Sequence, residues 1–129
     1  MHPTLLLAFI QHAQNCYPQE CCGLIIQQTN KACYWPCDNI ATNKTDEFEI
    51  SAQEYAAAED HGNIIGICHS HPDASSKPSD RDIAMCEASS LPWHIISWPE
   101  GDLRSIVPTG EAPPLVGRPF VHGVWDCYS

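Results

Sequence analysis

The amino-acid sequence predicts an α/β fold in which a single β-sheet is flanked by helices. Segments with helical periodicity alternate with short apolar, strand-like segments along the chain, which favours a layered sheet-and-helix architecture. One strand-like segment is almost continuously apolar, as expected for the centre of a sheet covered on both faces. The chain has 129 residues, and a chain of this length forms one hydrophobic core rather than two, so we expect one folded domain.

The N-terminal part of the chain predicts a helix followed by a β-hairpin. Apolar residues recur at helical spacing over residues 4–16, and Pro18 cannot continue that helix. Apolar runs at residues 21–28 and 32–40 flank a turn-forming Thr-Asn pair, which predicts two paired strands. Because Pro36 has no N–H group to donate to a neighbouring strand, we expect the second strand to lie at a sheet edge or to contain a bulge.

The middle of the chain predicts a short strand, a helix and the central strand. Residues 48–50 are a strand candidate. Ser51 stands three residues before Glu54, which is the spacing of a capping box at the start of an alanine-rich helix. We expect Gly62 to end that helix. The apolar run at residues 63–69 follows and is the expected centre of the sheet.

The last predicted elements follow a polar loop rich in proline and serine. Residues 79–88 predict a helix, and residues 93–98 and 103–107 predict two further strands. Beyond them, repeated prolines and glycines disfavour any regular element, so a linker is expected there.

The charge and hydropathy of the chain exclude several classes of partner. The chain carries 16 acidic and 6 basic side chains, for a formal net charge of -10, and such a chain repels both nucleic acid and anionic membranes. The longest apolar run, residues 5–10, is far shorter than the roughly 20 residues of a membrane-spanning helix. We therefore expect a cytoplasmic protein that binds neither nucleic acid nor membrane. The sequence leaves its oligomeric state open.

The chain contains 8 cysteines, which a cytoplasmic protein keeps reduced. Such cysteines are core residues or metal ligands, and we expect Cys68 and Cys86 to be small core residues. A second metal site at Cys33 and Cys37, with Cys21 or Cys22, is disfavoured because zinc-binding cysteine pairs usually have tighter spacing.

The segment HSHPDASSKPSDRD, residues 69–82, contains the pattern of a metal site. Side chains alternate along a strand, so His69 and His71 project from the same face and can converge on one ion. Ser79 and Asp82 lie one helical turn apart and can face the end of that strand. Two histidine nitrogens and one carboxylate oxygen leave a fourth zinc position open, which is typical of a catalytic site. The sequence therefore predicts one catalytic Zn²⁺ held by these two histidines and Asp82.

A hydrolytic site also needs a proton acceptor and a hydrogen-bond donor to the oxyanion. Glu20, at the start of the first strand, is the best-placed carboxylate for proton transfer, and Ser79 is the candidate oxyanion donor. Each feature has a plainer interpretation: two surface histidines, an ordinary helix cap at Ser79 and a surface carboxylate at Glu20. The complete spacing from the histidine pair to the aspartate, together with the early glutamate, favours the metal site.

This pattern resembles the JAMM motif of the MPN-domain metallopeptidases: an early Glu, then His-x-His, seven residues, Ser, two residues and Asp. The resemblance implies an MPN-like α/β fold with a mixed, curved central sheet flanked by helices. It implies zinc ligation by His69, His71 and Asp82, with Glu20 as general acid/base and Ser79 as oxyanion donor. Members of this family typically cleave peptide or isopeptide bonds at the C-terminus of ubiquitin or ubiquitin-like proteins.

Further segments resemble the K family of tail tip assembly proteins from lambda-like phages, namely YPQECCGLI, SLPWHIIS and the terminal GRPFVHGVWDCYS. In that family a JAMM domain precedes an NlpC-type cysteine peptidase domain, whose nucleophile lies in a DCY segment like that around Cys127. The resemblance implies a JAMM domain at residues 1–110, and a linker with the truncated start of an NlpC-type domain at residues 111–129. Without the downstream histidine, we do not expect Cys127 to act as a nucleophile in this chain.

We therefore expect a zinc metallopeptidase that hydrolyses a peptide or isopeptide bond in phage tail assembly. The implied partner is a protein substrate, such as a ubiquitin-like module of another tail assembly protein. The alternative is a non-catalytic, zinc-containing module whose contacts in tail assembly are its function. Intact Glu20 and Ser79 favour the enzyme, whereas a zinc ion with all four positions filled by protein atoms would favour the assembly module.

Overall fold

The computed structural model describes residues 1–110, so the predicted linker at residues 111–129, including Cys127, lies outside the described part. The helices are α1 (Pro3–Cys16), α2 (Ala52–Glu59) and α3 (Asp80–Ser89). The strands are β1 (Cys22–Gln27), β2 (Ala32–Cys37), β3 (Asn63–Pro72), β4 (Trp93–Trp98) and β5 (Leu103–Ile106). None of the helices described here has both the length and the apolar character needed to cross a membrane.

The strands form one mixed sheet in the order β2-β1-β3-β4-β5. The pair β3 and β4 is parallel, and the other neighbouring pairs are antiparallel. Pro36 lies in the edge strand β2, and β3 lies at the centre of the sheet, as the sequence predicts. The predicted α/β fold with a mixed sheet and flanking helices is therefore confirmed.

Helices cover both faces of the sheet because side chains on the central strands alternate between two cores. One core contains Phe9 of α1 and Ile25 of β1. The other contains Leu24 of β1, Tyr55 of α2 and Met85 of α3. Successive residues of β1 thus face opposite cores, as the two-residue period of a strand requires. This double burial explains why the central strands have almost continuous apolar sequences.

Residues 48–50 do not form the predicted strand. The N–H of Ile40 donates to the carbonyl of Glu49 at 3.0 Å, as in a strand pair. The neighbouring backbone groups, however, form hydrogen bonds with the Asn39 side chain and not with another strand. Asn39 donates to the Glu47 carbonyl at 2.9 Å and accepts the N–H of Glu49 at 3.1 Å. A side chain that satisfies backbone groups in this way competes with strand pairing. The apolar residues of the segment are nevertheless buried in the core, which accounts for the strand-like pattern.

Two strand boundaries also differ from the prediction. β2 ends at Cys37 rather than at residue 40, and β3 continues to Pro72 rather than ending at residue 69. The longer β3 follows from its parallel pairing with β4, which aligns His71 with Ser97. The extension places both motif histidines inside the sheet.

The predicted start of α2 is confirmed, since the Ser51 hydroxyl accepts the N–H of Glu54 at 3.1 Å. The predicted capping box is only half formed, because the Glu54 carboxylate accepts the N–H of Asp38 at 2.6 Å instead. The predicted role of Gly62 is wrong, because α2 ends before this residue and Gly62 is not left-handed. A Cβ atom at Gly62 would lie 2.5 Å from Ile26 Cγ2 and 2.6 Å from the Gln27 carbonyl oxygen. The glycine therefore permits close packing of the α2–β3 turn against β1.

Candidate metal centre

The predicted ligands meet where the end of β3 faces the start of α3. His69 and His71 lie two residues apart on β3, with ring centroids 5.0 Å apart. His69 is completely buried, Asp82 is 7% exposed and His71 is half-buried. A capping box orients Asp82: the Ser79 hydroxyl accepts the Asp82 N–H, and the Asp82 carboxylate accepts the Ser79 N–H, both at 3.0 Å. The first turn of α3 thus holds this carboxylate towards the histidines.

The distances among the three side chains fit a tetrahedral zinc site. His69 Nε2 and His71 Nε2 are 3.2 Å apart. Asp82 Oδ1 lies 3.2 Å from His69 Nε2, and Asp82 Oδ2 lies 3.1 Å from His71 Nε2. Ligand atoms bound at the zinc distance of about 2.0–2.1 Å in a tetrahedron lie about 3.3 Å from one another. These residues therefore have the spacing of three corners of such a site.

The second nitrogen of His71 determines which nitrogen of that ring can bind a metal. His71 Nδ1 lies 2.8 Å from the carbonyl oxygen of Ser75, and a carbonyl only accepts, so Nδ1 carries the proton. When the ring is neutral, Nε2 then keeps its lone pair, directed at the ligand cluster. When the ring is protonated, Nε2 donates to Asp82 Oδ2 at 3.1 Å instead. A backbone carbonyl behind a histidine ligand is a common support in metal sites.

The packing of His69 leaves one ring nitrogen directed at the ligand cluster. Its ring stacks on Phe48, with centroids 4.5 Å apart and an interplanar angle of 21°, and meets the edge of Trp93 at 5.4 Å. Within the described residues, His69 Nδ1 is buried without a hydrogen-bond partner. The polar contacts of this buried ring therefore all run through Nε2, the atom that faces His71 and Asp82.

The electrostatics of the cluster favour the cation-binding protonation states of Asp82 and His69 but not that of His71. Burial acts to raise the pKa of Asp82, but hydrogen bonds from His69 and His71 outweigh it, so the pKa is lowered overall. Burial lowers the pKa of His69. Burial also acts to lower the pKa of His71, but Asp82 and the Ser75 carbonyl raise it overall. At neutral pH, Asp82 is thus ionised and His69 neutral, as metal binding requires.

Glu20 reaches the same site from a distant part of the chain. A cavity of about 230 Å³ is lined by Glu20, His71, Ser79 and Asp82 together with part of the loop before α2. Glu20 is only 6% exposed. Burial raises its pKa to about 8, and the nearby Asp82 carboxylate adds to this shift while His71 opposes it. The structure therefore places a buried, high-pKa carboxyl group beside the three candidate ligands.

Ser79 lines this cavity as well as capping α3. Its hydroxyl oxygen accepts a hydrogen bond from the Asp82 N–H, which uses a lone pair and not the hydroxyl proton. The proton of Ser79 is therefore available to an oxygen atom in the cavity. The helix cap and the predicted oxyanion donor are compatible roles of one hydroxyl.

The sequence did not indicate two residues that support the site. Phe48, from the segment expected to be a strand, forms the stacking surface for His69. Ser70, between the two histidines, is buried, and its hydroxyl accepts the Cys21 N–H at 2.8 Å. That bond ties the residue after Glu20 to the strand carrying the ligands. Ser70 stands within the motif, whereas Phe48 has no local signal beyond its apolar character.

The cysteines take no part in this cluster. Among residues 1–110, the one group of at least three ligand-type side chains close enough to share a metal ion is His69, His71 and Asp82. All seven cysteines in that range are free thiols, and five of them are buried, consistent with core residues.

The comparisons with known proteins agree with this geometry. Residues 2–108 match the family described as prokaryotic homologs of the JAB domain. The chain is 52% identical over 129 residues to the tail tip assembly protein K of Escherichia phage N15. That alignment covers 100% of this chain and 53% of the phage protein, so the chain spans about half the length of this relative.

Solved structures share the fold at low sequence identity. Protein DSY2949 from Desulfitobacterium hafniense superposes with a TM-score of 0.67 at 22% identity, covering 81% of this chain and 80% of that chain. A structure described as JAMM, a metalloprotease-like zinc site in the proteasome and signalosome, gives a TM-score of 0.53 at 20% identity, covering 88% and 90%. With the family match over residues 2–108, the chain belongs to the prokaryotic homologues of the JAB domain, with the JAB/MPN fold.

Proposed function

We propose that this protein is a zinc-dependent metallopeptidase that hydrolyses a peptide or isopeptide bond. The observation that carries the proposal is that His71, Asp82, Glu20 and Ser79 line one cavity. His69 completes the ligand group with His71 and Asp82. In this proposal His69, His71 and Asp82 hold one Zn²⁺. A zinc ion with three protein ligands supplies an open coordination position, polarises a carbonyl group and makes a water molecule more acidic.

Glu20 is the general acid/base in this proposal. Its carboxylate accepts a proton from a water molecule in the cavity and then donates that proton to the leaving amine nitrogen. Burial, which raises the pKa of Glu20 to about 8, suits a group that must retain a proton between these two transfers near neutral pH. A cation bound beside it favours the ionised form, which is the form that starts the reaction.

Ser79 stabilises the tetrahedral intermediate in this proposal. Its hydroxyl proton points to an oxygen of the substrate while its lone pair holds the Asp82 N–H. The helix cap restricts the side chain before the substrate arrives, so little reorganisation is needed during the reaction.

The proposed substrate is the extended C-terminal tail of a ubiquitin-like module, carried by another tail assembly protein in the bacterial cytoplasm. Two findings support this proposal: the phage relative is a tail tip assembly protein, and the JAB/MPN fold is that of a family which includes metalloisopeptidases. The segment at residues 111–129 is proposed to be a linker and the start of an NlpC-type domain, as in the sequence-based expectation.

The test measures zinc content and peptide-bond hydrolysis on the same protein samples. Zinc-loaded wild type is incubated with ubiquitin and with a ubiquitin-like tail module, each fused through its C-terminus to a fluorescent reporter. We expect one zinc per chain and release of the reporter, both abolished in His71→Ala. Glu20→Gln should keep the zinc and lose the hydrolysis. Hydrolysis that survives chelation or Glu20→Gln would overturn the proposed mechanism.

A non-catalytic, zinc-containing assembly module is the second candidate. The tail assembly role named for the phage relative favours it. One tightly bound zinc per chain, without turnover of any tail-derived substrate and with four protein ligands seen by X-ray absorption, would establish this alternative over the peptidase.

A further inference from the structure

The side chain of Asn39 forms several hydrogen bonds to the backbone of the segment between β2 and α2. Its Oδ1 accepts two backbone N–H groups, those of Ala41 at 3.0 Å and Glu49 at 3.1 Å. Its Nδ2 donates to three carbonyl oxygens, those of Glu47 at 2.9 Å, Glu20 at 3.1 Å and, more weakly, Lys44 at 3.5 Å. One amide side chain therefore satisfies backbone groups on two separate parts of the chain.

The segment held by Asn39 forms one wall of the cavity. Thr45, Asp46, Glu47 and Phe48 all line it. The same segment contacts a candidate ligand directly, because Phe48 stacks on His69 at 4.5 Å. Asn39 therefore holds in place the segment that lines the proposed active site.

The other bond from Asn39 reaches Glu20 itself. The Glu20 carbonyl accepts from Asn39 Nδ2, and the Glu20 N–H donates to the Lys44 carbonyl at 2.8 Å. Both backbone groups of Glu20 are thus attached to the segment that Asn39 organises. Glu20 precedes β1, so its backbone forms no strand-pairing hydrogen bonds. The bonds to Asn39 and Lys44 hold it in their place.

We infer that Asn39 is a positioning residue for the reaction. It fixes Glu20 to the cavity wall that also carries Phe48, the residue stacked on His69. The inference rests on the proposed function, because it assigns Asn39 the placement of the proposed acid/base. Proton transfer requires hydrogen-bond distance, and a displacement of about 1 Å can cost about 100-fold in rate. Asn39 touches neither the substrate nor the metal in this account.

The test compares two substitutions at Asn39 with a control in the same segment. Asn39→Asp keeps the accepting oxygen but places a second oxygen against the carbonyls of Glu20 and Glu47. Asn39→Ala removes all the bonds without adding charge. Asn43→Ala is the control, because the Asn43 side chain bonds to Asp46 and Thr45 of the same cavity wall but not to Glu20.

Steady-state kinetics on the zinc-loaded full chain give the first measurement. We expect kcat to fall about 10- to 100-fold in both Asn39 variants, with KM within about twofold and one zinc per chain retained. Asn43→Ala should stay within about twofold of wild type in kcat. A merely structural role would reduce the amount of folded, zinc-loaded protein without lowering kcat per zinc, and that result would overturn the inference.

Amide exchange, followed by NMR, gives a second measurement that does not need turnover. The N–H groups of Glu20 and Glu49 should exchange at least about 10-fold faster in Asn39→Ala than in Asn43→Ala. Unchanged exchange, or faster exchange with unchanged kcat, would overturn the inference. If wild type hydrolyses nothing, the proposed function fails separately, and amide exchange alone decides whether Asn39 holds Glu20.

Discussion

Replacing Glu20 by glutamine measures the energetic cost of the buried carboxyl group. The side chain is 6% exposed, and burial raises its pKa from 4.5 to about 8. Between these pH values the folded protein keeps a proton that the unfolded chain has released. The free energy of unfolding of the metal-free protein therefore decreases as the pH rises through this window. Glutamine has a similar shape and does not titrate, so Glu20→Gln should remove this decrease.

The size of the effect follows from the width of the pH window. Retaining a proton costs about 1.4 kcal/mol for each pH unit. The window from pH 4.5 to about 8 then corresponds to about 5 kcal/mol at pH 8 and above, and to about 3 kcal/mol at pH 7. Below pH 4.5 both states are protonated and this contribution disappears. Metal-free Glu20→Gln should therefore be more stable than wild type at pH 8 and should lose this advantage in acid.

Urea unfolding of both proteins without metal, at a series of pH values, measures this difference. Glu59→Gln, which replaces an exposed carboxylate on α2, is the control and should differ from wild type by no more than about 0.5 kcal/mol. Zinc should reduce the advantage of Glu20→Gln, because a nearby cation favours the carboxylate. A stability difference that is the same in acid as at pH 8 would refute the reasoning, since it would mean that Glu20 titrates alike in both states.

Three further results are expected. Zinc affinity, measured by competition with a chelator, should fall as the pH drops towards and below roughly 6.5, because the histidine ligands must be neutral. Because the pKa of His71 is raised, the fall should begin above that value, and equal affinity across this range would contradict the histidine ligation. Ser79→Ala should cost about 1 kcal/mol and Ser79→Gly only a few tenths, while both lose about 100- to 1000-fold in kcat; a glycine variant with the wild-type rate would remove the hydroxyl from the mechanism. Gly62→Ala should destabilise the fold by about 1–3 kcal/mol in urea unfolding, because the new Cβ would lie 2.5 Å from Ile26 and 2.6 Å from the Gln27 carbonyl. An unchanged unfolding midpoint would contradict this prediction, since it would show that the turn can move to accommodate the Cβ.

Most secondary structure was predictable because its signals are local. The helical period of α1 and the apolar runs of β1 and β3 depend on neighbours within a few residues, and each element is present. Pro36 indicated an edge strand for the same reason, since the missing N–H is a property of one residue. The strand expected at residues 48–50 failed because a side chain from another part of the segment, Asn39, takes the backbone bonds that a strand would need.

The candidate ligands were also predictable, because their spacing is a matter of local geometry. His69 and His71 share a face of any strand, and Ser79 and Asp82 share a turn of any helix. Only the approach of α3 to β3 remained to be determined, and the structure brings Asp82 within 3.2 Å of both histidines. The chemical roles of these residues stay predictions until zinc content and hydrolysis are measured.

The sequence by itself determined the alternation of helices and strands, the central strand and the three candidate metal ligands. Only the tertiary structure decided that Glu20 is buried beside those residues, that Phe48 stacks on His69 and that Asn39 joins Glu20 to the cavity wall. The physical reason is the range of the interactions. Periodicity and capping act over one or two turns of chain, whereas burial, and the pKa it raises at Glu20, depends on segments that meet only after the sheet has formed.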